Sequence, residues 1–286
     1  MALAKKQAPK RIWRVPISNA RLLWLAGSVL LCVLLIVWDI AASSRQRFPG
    51  PLIDPWRLFG IIAFLLVLGT ATYSLRRRFV RSLPGKAQDW LWMHTWIGIA
   101  AVLVALLHET FAHITHDFCQ NLSCFTASYW GTSALFALIL LVVSGIVGRL
   151  FDAWQAHVIA YEASSNGVGI ARALEERILE LEYVVERLCA GKSEPFKQYC
   201  MQALESMPST VPALSKSEHQ DFQRAHETLL DRTRLVQSLQ RQQQARRIIR
   251  GWRSIHMILA VLALLVISFH AILELLTNVL HIFSPA

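Results

Sequence analysis

The chain has 286 residues, of which 54% are hydrophobic and only 17% are charged, with a mean hydropathy of +0.40. A soluble domain usually carries about 25% charged residues, so this composition favours a membrane protein. The formal net charge of +10 would suggest nucleic-acid binding in a soluble protein, but no basic stripe with interleaved aromatic residues is present. The expected partner is therefore membrane lipid and not nucleic acid.

Five apolar segments are long enough to cross about 30 Å of hydrocarbon, which takes roughly 20 helical residues. They cover residues 22–42, 58–75, 90–112, 131–150 and 252–283. The first follows a basic stretch, as a signal peptide does, but its apolar core is long and no small-x-small cleavage site follows Asp39. We interpret it as a retained helix. The sequence thus predicts an all-α fold, a multi-pass transmembrane helix bundle of five spans.

The distribution of lysine and arginine predicts the orientation of these spans. The N-terminus, the second loop and the segment before the last span are rich in both: Lys5, Lys6, Lys10, Arg11, Arg14, Arg76, Arg77, Arg78, Arg81, Lys86, Arg246, Arg247, Arg250 and Arg253. The first loop has only three arginines, and the loop after the third span has none. Because basic loops stay in the cytoplasm, we expect a cytoplasmic N-terminus and an outside C-terminus in the plasma (inner) membrane.

The spans leave three regions: 1–150 with four spans, a polar segment 151–251, and 252–286 with the last span. The polar segment reads as a cytoplasmic helical domain, because an apolar stripe at helical spacing runs through Leu174, Ile178, Leu181, Val185 and Leu188. Gly191 is a plausible end of that helix, Ser193-Glu194-Pro195 opens another, and Ser215 to Glu218 resembles a capping box before a helix that could continue into the last span. The stripe could close the domain's own core or dock a partner.

Two spans each contain a pair of histidines with the same spacing. His94 and His108 are fourteen residues apart in the third span, and His256 and His270 are fourteen apart in the fifth. Fourteen residues return a helix to within about 40° of the same face and advance it roughly 21 Å. Ionisable residues are rare and usually functional in hydrocarbon. We therefore expect two separate sites, His94 level with His256 and His108 level with His270.

Small residues repeat in register with these histidines. Gly98 and Ala260 lie four residues after the first histidine of each span, and Ala101 and Ala263 lie seven after it. Such residues would leave room for a flat macrocycle between the helices. Trp90 and Trp252 both lie four residues before the first histidine, as interfacial anchors do.

Each predicted level offers two imidazoles from opposite sides, which is the axial geometry of a low-spin haem. A single membrane histidine would more simply form a hydrogen bond between helices, and a titrating set would serve a proton-coupled transporter or sensor. Protein-bound copper or zinc is disfavoured, because no cysteine, methionine or carboxylate completes such a site. We expect two haem b groups, an inner one on His94 and His256 and an outer one on His108 and His270.

Paired histidines about fourteen residues apart on two membrane helices resemble the di-haem core of cytochrome b. That core occurs in quinol–cytochrome reductases and in the ferric-reductase and NADPH-oxidase group. The resemblance covers residues 90–150 and 252–276 and implies transmembrane electron transfer with His94, His108, His256 and His270 as ligands. Ferric reductases and NADPH oxidases carry a flavin and nicotinamide domain after their last membrane helix, and we expect none here, since the sequence stops at Ala286. Whether it is itself an enzyme stays open, and a partner subunit or a quinone would supply its electrons.

Several further residues are candidates for supporting roles. Glu109, His113 and Glu274 could form a quinone or proton site near the outer haem, or could simply end solvated helices. Four arginines could pair with haem propionates, although topology alone explains them: Arg76, Arg77, Arg78 and Arg253. Cys119 and Cys124 could form a disulfide in the outer loop, while Cys32, Cys189 and Cys200 are expected to be free thiols.

Overall fold

The computed structural model describes residues 19–46, 50–80, 82–111, 127–166, 171–206, 208, 210–280 and 282. Within these residues the chain is helical and contains no β-strand, so the all-α prediction is confirmed. The helices are α1 (Asn19–Ser43), α2 (Trp56–Arg78), α3 (Ala87–His108), α4 (Ala127–Asn166), α5 (Ala171–Cys189), α6 (Glu194–Glu205) and α7 (His219–Glu274). A π-helical turn, Leu275–Val279, follows α7.

Five of these helices, α1, α2, α3, α4 and α7, are long and apolar enough to cross a membrane. Their number agrees with the five spans expected from the sequence. Their outward side chains are largely leucine, isoleucine and valine, which suits contact with lipid.

The helix bounds differ from the bounds of the expected spans at three places. The fourth helix continues past Leu150 to Asn166, and the last helix begins at His219, so the polar helix that could continue into the last span does continue into it. Hydropathy marks only the apolar part of a helix, so it misses polar extensions. The third helix ends at His108, four residues before the expected end, because Thr110 and Phe111 adopt left-handed backbone conformations with φ of 52° and 57°.

The described chain divides into two compact units, and α4 and α7 contribute to both. The first unit contains Arg149–Trp252 and is the polar helical segment. Its core is built by α5, α6 and α7, with eight buried members: Val185, Phe196, Tyr199, Cys200, Ala203, Phe222, Ala225 and Leu229. A second cluster joins Leu174 and Ile178 to Leu235.

The apolar stripe of α5 therefore closes the core of its own unit. Leu174, Ile178 and Val185 are all buried against α6 or α7. The suggestion that this stripe forms a surface for a partner is thus wrong. An apolar stripe at helical spacing predicts which face of a helix is buried, but it does not predict which element covers that face.

The turns of this unit follow the expected chemistry. Gly191 ends α5 with a φ of +73°, and Pro195 lies in the first turn of α6. The Glu218 carboxylate accepts hydrogen bonds from the backbone N–H and hydroxyl of Ser193 and from the hydroxyl of Ser215. These hydrogen bonds lower the pKa of Glu218, the backbone N–H of Ser193 having the largest effect. One carboxylate thus joins the starts of α6 and α7.

The second unit contains the apolar helices and two buried clusters. One joins α1, α2 and α3 through Leu35, Trp56, Phe59, Ala63, Val104 and Leu107. The other joins α2, α3, α4 and α7 through Val67, Ala101, Ala134, Leu138, Ala263 and Ile267. Four helices therefore share one core, and α1 packs beside it on α2 and α3.

Candidate functional site

The four histidines of α3 and α7 form two pairs inside the second unit. The imidazole of His256 is close enough to His94 to interact with it electrostatically, and His270 interacts in the same way with His108. All four side chains are half-buried. The structure thus brings together the pairs that the sequence spacing suggests, and α3 and α7 run in the same direction. We refer to them below as the 94/256 pair and the 108/270 pair.

Helix α2 supplies a hydrogen-bond acceptor to each histidine of α3. The Nδ1 atom of His94 lies 3.0 Å from the carbonyl oxygen of Thr70, and Nδ1 of His108 lies 2.8 Å from that of Trp56. A carbonyl oxygen only accepts, so in both rings Nδ1 carries the proton and donates it. The remaining ring nitrogen, Nε2, is then the unprotonated one in the neutral imidazole and is available as a ligand.

The two acceptors on α2 repeat the spacing of the histidines they hold. Trp56 and Thr70 are fourteen residues apart, as are His94 and His108, and α2 runs antiparallel to α3. The acceptors are backbone carbonyl oxygens, which every residue has, so no particular residue type marks these two positions in the sequence. Sequence analysis therefore missed both positions.

Helix α4 faces the histidines of α7 with two glycines. A β-carbon at Gly131 would lie 3.1 Å from Cε1 of His270, and one at Gly145 would lie 3.4 Å from Cε1 of His256. These glycines are again fourteen residues apart. They let the backbone of α4 pass close to both imidazole rings, which a larger side chain would displace.

A third glycine, on α2, is under the strongest constraint. A β-carbon at Gly60 would lie 2.8 Å from both Cε1 and Nδ1 of His108 and 3.1 Å from Nε2. Ordinary van der Waals contact begins at about 3.4 Å. The Nδ1–Cε1–Nε2 edge of the His108 ring therefore lies against the α2 backbone, and a β-carbon at Gly60 would force the ring or the helix to shift.

The two histidines of α7 differ in the surroundings of their Nδ1 atoms. Nδ1 of His256 lies 2.7 Å from Oγ of Ser144, whose hydroxyl proton is donated to the carbonyl of Leu141. His256 is thus the donor to Ser144. Nδ1 of His270 is buried and has no hydrogen-bond partner in the described part of the chain. The equivalent position on α4, fourteen residues before Ser144, is Trp130, which packs on Phe269 instead.

Two of the four small residues between the pairs lie in the shared core. Ala101 and Ala263 are buried in the cluster that joins α2, α3, α4 and α7. Gly98 faces the methyl groups of Thr70 and Val142, where a β-carbon would make ordinary contacts at 3.8 and 3.9 Å. Ala260 is half-buried. These positions lie between the two levels, where small residues allow helices to approach closely.

Two carboxylates lie beside the 108/270 pair. Glu109 is only 7% exposed, and its Oε1 would be 3.5 Å from a β-carbon at Gly131, next to the His270 ring. Glu274 interacts electrostatically with both histidines of this pair. His113, Cys119 and Cys124 lie outside the described residues. Of the proposed quinone or proton site, the structure therefore shows its two carboxylates near one pair of imidazoles.

The basic residues at the other end of α2 have different surroundings. Arg76 is buried: it donates to the carbonyl oxygens of Leu83 and Gly85 and stacks over Trp90. Its guanidinium therefore holds the loop between α2 and α3, and its suggested pairing with a haem propionate stays a prediction. Arg78 donates to the sulfur of Met257, the neighbour of His256. Arg77 and Arg253 are exposed.

The free thiols agree with expectation where they are described. Cys32, Cys189 and Cys200 form no disulfide. Burial raises the pKa of Cys200, whose side chain belongs to the core of the polar unit, so this thiol is kept uncharged.

No group of three or more metal-binding side chains occurs among the described residues. The donor set consists of two imidazole pairs, and two axial imidazoles are all that a haem iron takes from a protein. The hydrogen-bonded Nδ1 atoms are what such ligands require, since a metal-binding histidine almost always donates its other ring N–H. The residues present therefore fit two bis-histidine haems.

No protein-family model matches this chain, and neither the curated proteins nor the solved structures contain a match to it.

Proposed function

We propose that the chain carries electrons across a membrane through two b haems, one held by the 94/256 pair and the other by the 108/270 pair. The observation that supports this most strongly is the common orientation of the imidazoles. Three of them donate Nδ1–H to a neighbouring helix, which leaves the unprotonated Nε2 as the ligand atom. A bound haem would supply reversible one-electron transfer at each level.

The protein's own contribution is to fix the ligands and to keep the site dry. Thr70, Trp56 and Ser144 set the tautomer and the rotation of three rings. Gly60, Gly131 and Gly145 allow helix backbones to pack on the rings. The two levels are separated by roughly 21 Å along each helix, which carries an electron over most of the hydrocarbon thickness.

The proposal includes the orientation of the chain in the membrane. With the N-terminus in the cytoplasm, as the basic loops suggest, the 94/256 pair lies near the cytoplasmic face of the plasma membrane. The 108/270 pair, with Glu109 and Glu274 beside it, then lies near the outer face. Those carboxylates would be suitable proton acceptors for a quinol that delivers electrons there. A partner subunit is the other source of electrons.

Transfer across the membrane can be measured directly. The purified protein is placed in sealed vesicles that contain ferricyanide, and dithionite, which does not cross the bilayer, is added outside. We expect ferricyanide to be reduced at a rate that depends on the protein, and a His108→Leu variant to abolish it. Equal rates for wild type, the variant and protein-free vesicles would refute electron transfer.

The visible absorption spectrum of the same purified protein tests the alternative function, a proton-coupled transporter or sensor. That function requires histidines that stay free to bind protons, and hence a protein without haem absorption. Its prediction is a colourless protein even when haem supply during expression is adequate.

A further inference from the structure

Helix α1 lies outside the four-helix core but carries one acidic side chain into the bundle. Asp39 is the only acidic residue of α1, and it is half-buried in a helix that is otherwise almost entirely apolar. A carboxylate within an apolar span is costly and is usually kept for a specific interaction. Its partner is Trp56, whose indole Nε1–H donates to Oδ1 of Asp39 at 2.8 Å.

Trp56 connects that carboxylate to a proposed haem ligand. The residue begins α2, is fully buried, and packs against Leu35 of α1 and Leu107 of α3. Its side chain donates to Asp39, and its carbonyl oxygen accepts Nδ1–H of His108 at 2.8 Å. The indole and the carbonyl belong to one residue, so anchoring the ring also fixes the acceptor of His108.

The α2 backbone also restricts movement of the His108 ring. Gly60, one helical turn after Trp56, lies so close that a single methyl group would overlap the ring. A displacement of the Trp56 carbonyl therefore cannot be followed freely by the imidazole, and the hydrogen bond would lengthen. At the 94/256 pair the acceptor of His94 is the carbonyl of Thr70 in the middle of α2, and the Thr70 hydroxyl donates to the Val67 carbonyl of the same helix.

From this geometry we infer that Asp39 is a positioning residue for His108: through the Trp56 indole it holds the carbonyl that orients and polarises this ligand. The inference rests on the proposed function and assigns a task to α1, the tuning of the 108/270 haem. A strong Nδ1–H hydrogen bond makes an imidazole more electron-rich and favours ferric iron, and a nearby carboxylate acts in the same direction. Loss of either should therefore make that haem easier to reduce.

The test uses the full chain with both haems bound and measures each haem by potentiometric titration and by its low-spin electron paramagnetic resonance. In the potentiometric titration, the redox wave of the 108/270 haem is identified as the one that is missing from a His270→Leu variant. Trp56→Phe keeps the backbone carbonyl and an aromatic ring, and removes the indole N–H together with the five-membered part of the ring. We expect it to shift the reduction equilibrium of the 108/270 haem threefold to tenfold, about 28 to 59 mV upward, with the 94/256 haem unchanged.

Asp39→Leu removes both the acceptor and the charge, and Asp39→Asn keeps an acceptor oxygen without the charge. We expect Asp39→Leu to shift the same wave at least as far as Trp56→Phe, and Asp39→Asn to restore the wild-type resonance signal more closely than Asp39→Leu. The shift in a double variant, Trp56→Phe with Asp39→Leu, should be smaller than the sum of the two single shifts, because either change alone already breaks the hydrogen bond between the indole and the carboxylate. Asp54→Asn is the matched control, since the Asp54 carboxylate forms an exposed ion pair with Arg57 near the same helix end.

Selective loss of the 108/270 haem in Asp39→Leu would also support the inference. If Asp39→Leu does not accumulate, Trp56→Phe and Asp39→Asn decide the matter alone. The inference would be overturned if the redox waves of both haems were unaltered in Trp56→Phe and in the Asp39 variant, or if both haems shifted equally. A wild-type protein without haem would instead refute the proposed function, so the two failures are distinguishable.

Discussion

Gly60→Ala adds one methyl group where α2 meets His108. The new β-carbon would lie 2.8 Å from Cε1 and Nδ1, at least 0.6 Å closer than an ordinary contact of 3.4 Å. The ring cannot move without losing its hydrogen bond to the Trp56 carbonyl, which is 2.8 Å long. Overpacking of this kind costs about 1–3 kcal/mol. If that cost falls on the ligand, haem binding at the 108/270 pair weakens roughly fivefold to 150-fold.

The measurement is the ratio of haem to protein after purification, by pyridine haemochrome. We expect about two for wild type and about one for Gly60→Ala, with the wave that is absent from His270→Leu missing here too. Alanine is favoured over glycine in a helix by about 1 kcal/mol, so destabilisation of α2 cannot explain a loss. Gly69→Ala in the same helix is the control, because nothing lies within 4 Å of its β-carbon. A Gly60→Ala protein with two haems and an unchanged spectrum would refute the reasoning.

Three further changes test other parts of the structure. Ser144→Ala removes the acceptor of His256 Nδ1–H; both haems should remain, and the potential of the 94/256 haem should rise by on the order of 20–60 mV in a redox titration. A rise in the other wave would count against this pairing. Glu218 has a lowered pKa, so its contribution to stability is present above the unfolded pKa of about 4.3 and is lost as pH falls through the lower folded pKa. Thermal melts of the full chain should therefore show Glu218→Gln less stable than wild type at pH 7, with a smaller difference in acid; equal melting temperatures at pH 7 would contradict the role of this carboxylate. A reporter after Ala286 should be active outside the cell and one inserted near residue 209 inside, and the opposite pattern would exchange the faces assigned to the two pairs.

Hydropathy and histidine spacing predicted the membrane part of the fold well. Long apolar runs indicate helices, and the fourteen-residue spacing places His94 and His108 on one face of α3. The end of α4 was harder to predict, since this helix continues through polar sequence that carries no membrane signal, whereas α7 runs into the last span as its sequence allowed. The end of α3 depends on left-handed backbone at Thr110, which residue type does not reveal.

The surroundings of the histidines could be predicted only in part. Small residues were expected beside the ligands, and Ala101 and Ala263 do lie in the shared core. The closest contacts, however, come from Gly60 and Gly131 on neighbouring helices. Which helices are neighbours is a tertiary property, so these glycines could not be assigned from local spacing.

The roles of polar side chains were the least predictable. Arg76 lies at the end of α2 where a membrane face is expected, but its guanidinium donates to the loop carbonyls of Leu83 and Gly85. Asp39 is a single carboxylate in an apolar helix, so no spacing or repeat in the sequence marks it. Its importance depends on Trp56, seventeen residues away in sequence.

The central claim, that each haem is shared between α3 and α7, is tested most directly by haem stoichiometry in five proteins: wild type and the single leucine variants of His94, His108, His256 and His270. The account predicts two low-spin b haems in wild type and one in each variant. It also predicts that His94→Leu and His256→Leu lose the same redox wave, and that His108→Leu and His270→Leu lose the other. A wild-type protein without haem, or variants whose lost waves pair His94 with His108, would contradict it.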